Sequence, residues 1–376
     1  MFDYETLRVI WWFLLGVLLV GFAVMDGFDL GVAALLRGLA RNDEERRALL
    51  ETVEPVWEGN QVWFIVGGAA VFAAWPLLYA AAFSGFYFAM FLVLLAFILR
   101  PVGFGFRNKL AHARWRNAWD WVITFSGSVP SLLFGVAFGN LFSGAPFRYD
   151  ETLRMTYTGG LLDLLHPFPL LVGILSLSML LLHGAAYAEM KADAVIAQRA
   201  ATVRRLVAAC YALIFTAAGL WLAFGIDAYS YTVAAITDGP SNPLLKTVTH
   251  GGSWFAGPHG RAAIVLGCVG VLAGVTLALR SAKASAGIGF LLSALLVACT
   301  VMAGGFALFP FLLPSSLEPR SSLTVWDASS SHTTLGLMLF VTALFLPLVI
   351  GYTSWVYRVL RGRVTLEHVR QSHSMY

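Results

Sequence analysis

Asp26 and Asp29 stand inside a run, Trp11 to Leu36, that is otherwise apolar and long enough to cross a bilayer. A buried ionised carboxylate is strongly disfavoured unless it is paired, hydrated or protonated, so acids at such positions mark proton or ion paths by default. On a helix, a spacing of three puts both side chains on nearly the same face, about 4.5 Å apart along the axis. Other polar residues sit at the ends of neighbouring apolar runs: Trp57 and Glu58 open the second, Arg100 closes the third and Asp120 opens the fourth. Proton transfer is the chemistry this set offers. A buried guanidinium holds one acid ionised while a neighbouring acid is pushed toward its protonated form. Asp29 and Glu58 are the acids expected to meet Arg100. A plainer reading stands beside it. Glu58 and Asp120 also fit interfacial carboxylates at helix N-termini, where the helix dipole favours negative charge. For Asp26 and Asp29 the plain alternative is a purely structural pair with arginine.

Composition fixes the class of element that must carry these residues. With 59% hydrophobic and 12% charged residues and a mean hydropathy of +0.75, the chain has too little polar surface for a soluble domain. The expected fold is all-α, a polytopic membrane protein forming one integral-membrane domain over residues 1–376. Apolar runs of about 20 residues predict nine spans, near 10–36, 56–77, 79–100, 118–141, 166–189, 204–226, 262–279, 287–313 and 333–357. A tight turn near Pro76 to Tyr79 is expected to join the second and third as an antiparallel hairpin. Lys and Arg divide eighteen against six between the two sets of loops, with Arg100 left inside a span. The positive-inside rule then puts the N-terminus outside and the C-terminus in the cytoplasm. The net charge of +4 is thus a topology signal, and nucleic acid is not an expected partner. Asp3 and Glu5 occupy the place of a basic leader region, so the first run reads as a retained span. This topology brings Asp26, Asp29, Glu58, Arg100 and Asp120 to one depth, near the inner leaflet.

No catalytic residue or metal ligand is assigned within this chain. Cys210, Cys268 and Cys299 lie far apart in apolar runs, with no CxxC signature. Among the eight histidines only His183 is well inside a span, so two facing axial haem ligands are not available. His183 reads as a packing residue. The tryptophans near the span ends, Trp11, Trp12, Trp75, Trp119, Trp121, Trp326 and Trp355, read as an interfacial belt. Trp57, beside Glu58, is the one set apart as a binding candidate.

Several stretches together resemble one known family. They are DYETLRVIWWFLLGVLLVGFAVMDGFDLGV near the N-terminus, WEGNQVWFI at 57–65, AAWPLLYAAAFSGFY at 73–87, RPVGF at 100–104, RNAWDW at 116–121, GVAFGN at 135–140, FPFLLPSS at 309–316 and SLTVWDASSS at 322–331. From the first residues to the last span, the chain resembles subunit II of bacterial cytochrome bd-type quinol oxidases, a family that includes cyanide-insensitive members. The resemblance implies a multi-pass protein of the bacterial inner membrane, one half of a heterodimer that oxidises quinol and reduces O2 to water. It implies that two haems b and one haem d belong to the partner, subunit I. It further implies that this chain lines a cytoplasmic proton route, and that in some members it holds a non-catalytic structural quinone, for which Trp57 is the candidate contact here. Asp26, Asp29, Trp57, Arg100 and Asp120 match the family pattern, whereas Glu58 replaces the aspartate of the more usual WDGNQVW. The implied partners are subunit I, membrane lipid and quinol, with a small single-span accessory subunit left open. The competing reading is a proton- or cation-coupled secondary transporter, in which paired acids at a helix break bind the coupling ion. No internal repeat relates residues 1–190 to the rest, which weighs against it.

Overall fold

The computed structural model describes residues 2–233, 241–281 and 284–372. Part of the long loop from Asp227 to Arg261, and His373 in the tail, lie outside them. Twelve helices run in chain order: α1 Tyr4–Leu39, α2 Asp43–Glu51, α3 Trp57–Ala74, α4 Pro76–Gly85, α5 Tyr87–Arg107, α6 Ala113–Ser143, α7 Pro167–Lys191, α8 Ala194–Gly225, α9 Gly257–Leu279, α10 Ala286–Leu308, α11 His332–Val359 and α12 Leu366–Ser372. Eight of these, α1 and α5 through α11, are long and apolar enough to cross a membrane. The chain is a polytopic all-α membrane protein.

The differences from the expected spans have local causes. The second expected span is the 18-residue α3, whose first turns carry the polar run Glu58, Asn60 and Gln61. No tight turn follows it. Pro76 takes the first position of α4, where a missing N–H is harmless and φ suits a helix. The break to α5 falls at Phe86, so the third span starts at Tyr87, and the helix continues through Pro101 to Arg107 rather than ending at Arg100. Residues 309–313 leave the eighth span, because Pro310 has no N–H to continue α10 and constrains Phe309 before it. Helix α1 has 36 residues, or about 54 Å at 1.5 Å per residue, against an apolar core of about 30 Å. It is therefore longer than the apolar layer is thick, and α2 folds back beside its C-terminal turns.

Helix α1 is the centre of the bundle, packing on α3, α6, α7 and α10. Two glycine contacts bring it close. A Cβ on Gly184 of α7 would lie 2.4 Å from the Gly31 carbonyl carbon, and one on Gly127 of α6 would lie 2.3 Å from the Leu30 oxygen. Both are below any real Cβ contact, so α1 touches the backbones of α6 and α7 within one turn of Asp29. A Gly184→Val change should force α1 and α7 apart at a cost of about 1–3 kcal/mol or more. A lower thermal midpoint of the purified protein checks this.

At the end of the bundle near the α1 N-terminus, three short antiparallel ribbons fill the connections. They are β1 Phe147–Tyr149 with β2 Met155–Tyr157, β3 Tyr229–Val233 with β4 Lys246–His250, and β5 Phe311–Leu313 with β6 Leu323–Thr324. The Lys246 ammonium ties two of them together, donating to Ser322 O and Pro243 O and pairing with Asp327 at 2.8 Å. At the opposite end, Arg204 of α8 donates to Glu189 of α7 at 2.6 Å and to the Leu277 carbonyl of α9. Charged groups therefore lock both ends, while the middle is held by small-residue contact and aromatic packing.

Candidate functional site

Arg100, fully buried on α5, is the hub. Its Nη2 donates to Asp26 Oδ1 at 2.8 Å and to Gln61 Oε1 of α3 at 3.3 Å. The guanidinium carbon lies 5.3 Å from the Phe97 ring centroid and 5.7 Å from that of Trp57, within reach of a cation–π attraction. One turn on, Asp29 Oδ2 accepts from Asn60 Nδ2 at 2.7 Å, and Asn60 Oδ1 accepts from the Tyr357 hydroxyl of α11 at 2.7 Å. Four buried atoms of the cluster make no hydrogen bond among the described residues: Asp26 Oδ2, Asp29 Oδ1, and Arg100 Nε and Nη1. Buried polar atoms of this kind are ordinarily satisfied by protein or by ordered water.

Arg100 thus pairs with Asp26, whereas Asp29 and Glu58 were the expected partners. Helical geometry gives the reason. Three residues advance about 300° around a helix, so Asp26 and Asp29 diverge by about 60°, the first toward α5 and the second toward α3 and α11. Glu58 and Asn60 differ by two positions and so face nearly opposite sides of α3. Asn60 enters the cluster, while Glu58 is exposed in the first turn and forms no ion pair or hydrogen bond among the described residues.

Asp120 is buried but belongs to a different network. Its Oδ1 accepts from Arg107 Nε at 2.6 Å and its Oδ2 from Arg46 at 2.8 Å, while Asp43 accepts from Arg107 and Arg116 at 2.8 Å each. This network clamps α2 onto α5 and α6 and shares no hydrogen bond with the Arg100 cluster among the described residues. Trp57 faces Arg100 and Phe104, the latter with ring centroids 6.1 Å apart. It does not line an apolar cavity of about 790 Å³, which is bordered by Trp12, Phe13, Trp63, Phe64, Phe86 and Met90. Both nitrogens of His183 are engaged, Nδ1 with Ser293 Oγ at 2.8 Å and Nε2 with Val24 O at 2.9 Å, and its ring stacks on Phe290.

Helix α2 is seated by Glu45, which receives Arg199 Nη1 at 2.6 Å and Nη2 at 3.0 Å as well as the Arg41 amide at 2.7 Å. The Arg199 guanidinium, helped by that amide, holds the Glu45 carboxyl below the ordinary glutamate range. A carboxylate whose folded-state value is depressed contributes stability that is complete above its unfolded value, about 4.3, and is lost as pH falls through the folded value. Hydrogen-exchange protection of residues 43–51, taken relative to the intrinsic amide rate at each pH, should therefore be full at neutral pH and fall as Glu45 is protonated in acid. A Glu45→Gln variant should show reduced protection already at neutral pH.

Asn60, Gln61 and Tyr357 are the site residues that sequence reasoning passed over. The first two carried a signal, an amide pair interrupting an apolar helix. Tyr357 carried none, since aromatics near span ends are ordinary.

A family model described as cytochrome bd terminal oxidase subunit II matches residues 7–360. The chain is 45% identical to cytochrome bd-I ubiquinol oxidase subunit 2 of Escherichia coli K12, over 100% of both chains. It is 32% identical to cytochrome bd ubiquinol oxidase subunit 2 of Bacillus subtilis, over 96% of this chain and 97% of that one. Its fold is similar to a chain in a structure of bd oxidase from Geobacillus thermodenitrificans, with a TM-score of 0.67 at 17% identity, covering 94% of this chain and 98% of the other.

Proposed function

This chain belongs to the cytochrome bd terminal oxidase subunit II family, and from that premise we propose that its own task is to deliver protons to a haem-bearing partner. It is a subunit of an oxidoreductase, cytochrome bd ubiquinol oxidase, and a multi-pass protein of the bacterial inner membrane. The family implies haem in the complex. The residues here do not fit that group, because His183, the histidine set within a membrane helix, already has both ring nitrogens bonded to protein. No step is therefore routed through haem in this chain. We assign two haems b and one haem d to subunit I, the other half of a heterodimer, and leave quinol oxidation and O2 reduction to it.

One observation carries this reading: two buried acids gather near one buried cation, and only Asp26 of the two is paired with it among the described residues. Arg100 offsets the charge of Asp26 at 2.8 Å, which keeps that carboxylate tolerable without water. Asp29 has no arginine partner among the described residues and an unbonded Oδ1, so it is the group suited to taking up and releasing a proton. In this reading Asp29 carries the proton, Asp26 and Arg100 set the field around it, and Trp57 covers Arg100. Asp120 holds the surrounding helices, and Glu58 acts at most as an acceptor on the aqueous approach. The excess of Lys and Arg supports the cytoplasm as the proton source. The same topology has nine spans in one integral-membrane domain, with α3 supplying the ninth. The apolar cavity of about 790 Å³ has the size and lining for a non-catalytic quinone, which would then rest on Trp12 and Trp63 rather than Trp57. The nearly uncovered helix α11 offers a face to lipid or to a small accessory subunit. Family membership leaves the transporter reading without support.

The test is oxygen consumption and proton uptake by the assembled complex carrying Asp29→Asn. Slow turnover with a complete haem spectrum supports the reading. Unchanged turnover removes Asp29 from the route.

A further inference from the structure

A second cavity, about 510 Å³, opens where the α2–α3 connection, the end of α7 and the segment after α11 meet. Unlike the first it is lined by charged groups, Glu51, Glu54, Lys191, Arg361 and Arg363, together with Tyr357. Tyr357 belongs to both this cavity and the buried site, because its hydroxyl donates to Asn60, which in turn donates to Asp29. We propose that this cavity is the aqueous vestibule from which Asp29 draws its protons, and that Tyr357, in its wall, and Asn60 behind it are positioning residues that hold Asp29. The inference rests on the reading of Asp29 given above and adds the place where protons come in.

The chemistry limits what each residue can do. An amide cannot pass a proton without becoming its unfavourable imidic tautomer, so Asn60 orients Asp29 Oδ2 and does not conduct. Its two bonds face opposite ways, one to Asp29 and one to Tyr357, which fixes the side chain. The Tyr357 hydroxyl donates inward and keeps its lone pairs for water on the cavity side. Asp29 does not line the cavity, so the transfer runs through water passing Tyr357 and Asn60 to the unbonded Asp29 Oδ1, where a hydronium ion loses a proton to the carboxylate, giving water and a neutral carboxyl. The carboxyl then returns the proton to an acceptor on the partner side and becomes a carboxylate again. Glu51 and Glu54 share the lining with Lys191, Arg361 and Arg363, so the walls are polar and of mixed sign, which suits a water-filled space.

The experiment compares Tyr357→Phe, Asp29→Asn and a control, Tyr211→Phe, in the intact oxidase. The control deletes another largely buried hydroxyl, one bonded to Thr300 and remote from the cavity lining. Tyr357→Phe should slow oxygen consumption about tenfold and raise the solvent deuterium isotope effect on turnover, with an unaltered haem spectrum. Tyr211→Phe should leave the isotope effect as it is. If Asp29→Asn is slow while Tyr357→Phe has the parent's rate and isotope effect, the vestibule is wrong and the Asp29 reading survives. If Asp29→Asn is itself normal, the underlying reading falls. Should Tyr357→Phe fail to assemble, Glu54→Cys decides. A bulky membrane-impermeant thiol reagent on that variant should slow turnover, while the same reagent on the parent has no effect. Equal rates before and after labelling overturn the proposal.

Discussion

Asp29→Asn is expected to slow oxygen consumption by the assembled complex roughly tenfold to a hundredfold, the range lost when a positioned proton carrier is removed. The substitution is nearly isosteric. Asparagine at this position still offers a carbonyl oxygen to Asn60 Nδ2, so the bond at 2.7 Å between α1 and α3 has a replacement. Asp26 keeps Arg100, and the buried cation is never left alone. What disappears is the exchangeable carboxyl proton. Turnover should fall with proton delivery, and the haem spectrum should match the parent's.

Asp26→Ala should fail earlier and differently. It strips Arg100 of its carboxylate and leaves a fully buried guanidinium with only the Gln61 oxygen at 3.3 Å. Breaking one half of a buried pair costs about 3–5 kcal/mol, against a folding free energy of only about 5–15 kcal/mol for a typical domain. The expected result is a low yield of intact complex. The double variant Asp26→Ala with Arg100→Met removes the orphaned charge along with its partner and should recover most of the yield. Recovery of assembly without recovery of full turnover would separate the structural role of the pair from its electrostatic one. A double variant as poorly assembled as the single one would place the defect in packing rather than charge.

Much of the architecture was legible because long apolar runs admit few alternatives in a bilayer. Helices α6, α7, α9 and α11 fall within a few residues of their expected limits. The misplacements arose where a proline has two uses. Pro76 reads as a turn signal but starts α4, and Pro310 lies in an apolar run but ends α10. Charged stretches such as 190–205 read as loops, although Lys and Arg are good helix formers, and α7 and α8 occupy most of that stretch.

The site was legible in its charges and illegible in its pairings. Asp26, Asp29 and Arg100 stood out because ions are rare in such runs. Which acid meets the arginine depends on a rotation of about 60° between neighbours and on the close crossing of α1 with α7 at Gly31 and Gly184. No pattern in one sequence encodes that rotation. Tyr357 reaches Asn60 across 297 positions of chain, a pairing that exists only once α11 has docked.

Infrared difference spectroscopy of the complex during turnover tests the central claim most directly. The account predicts a protonated-carboxyl band that appears and decays with the catalytic cycle, shifts in deuterated water, and is missing in Asp29→Asn. The same carboxyl band in Asp29→Asn as in the parent would contradict it.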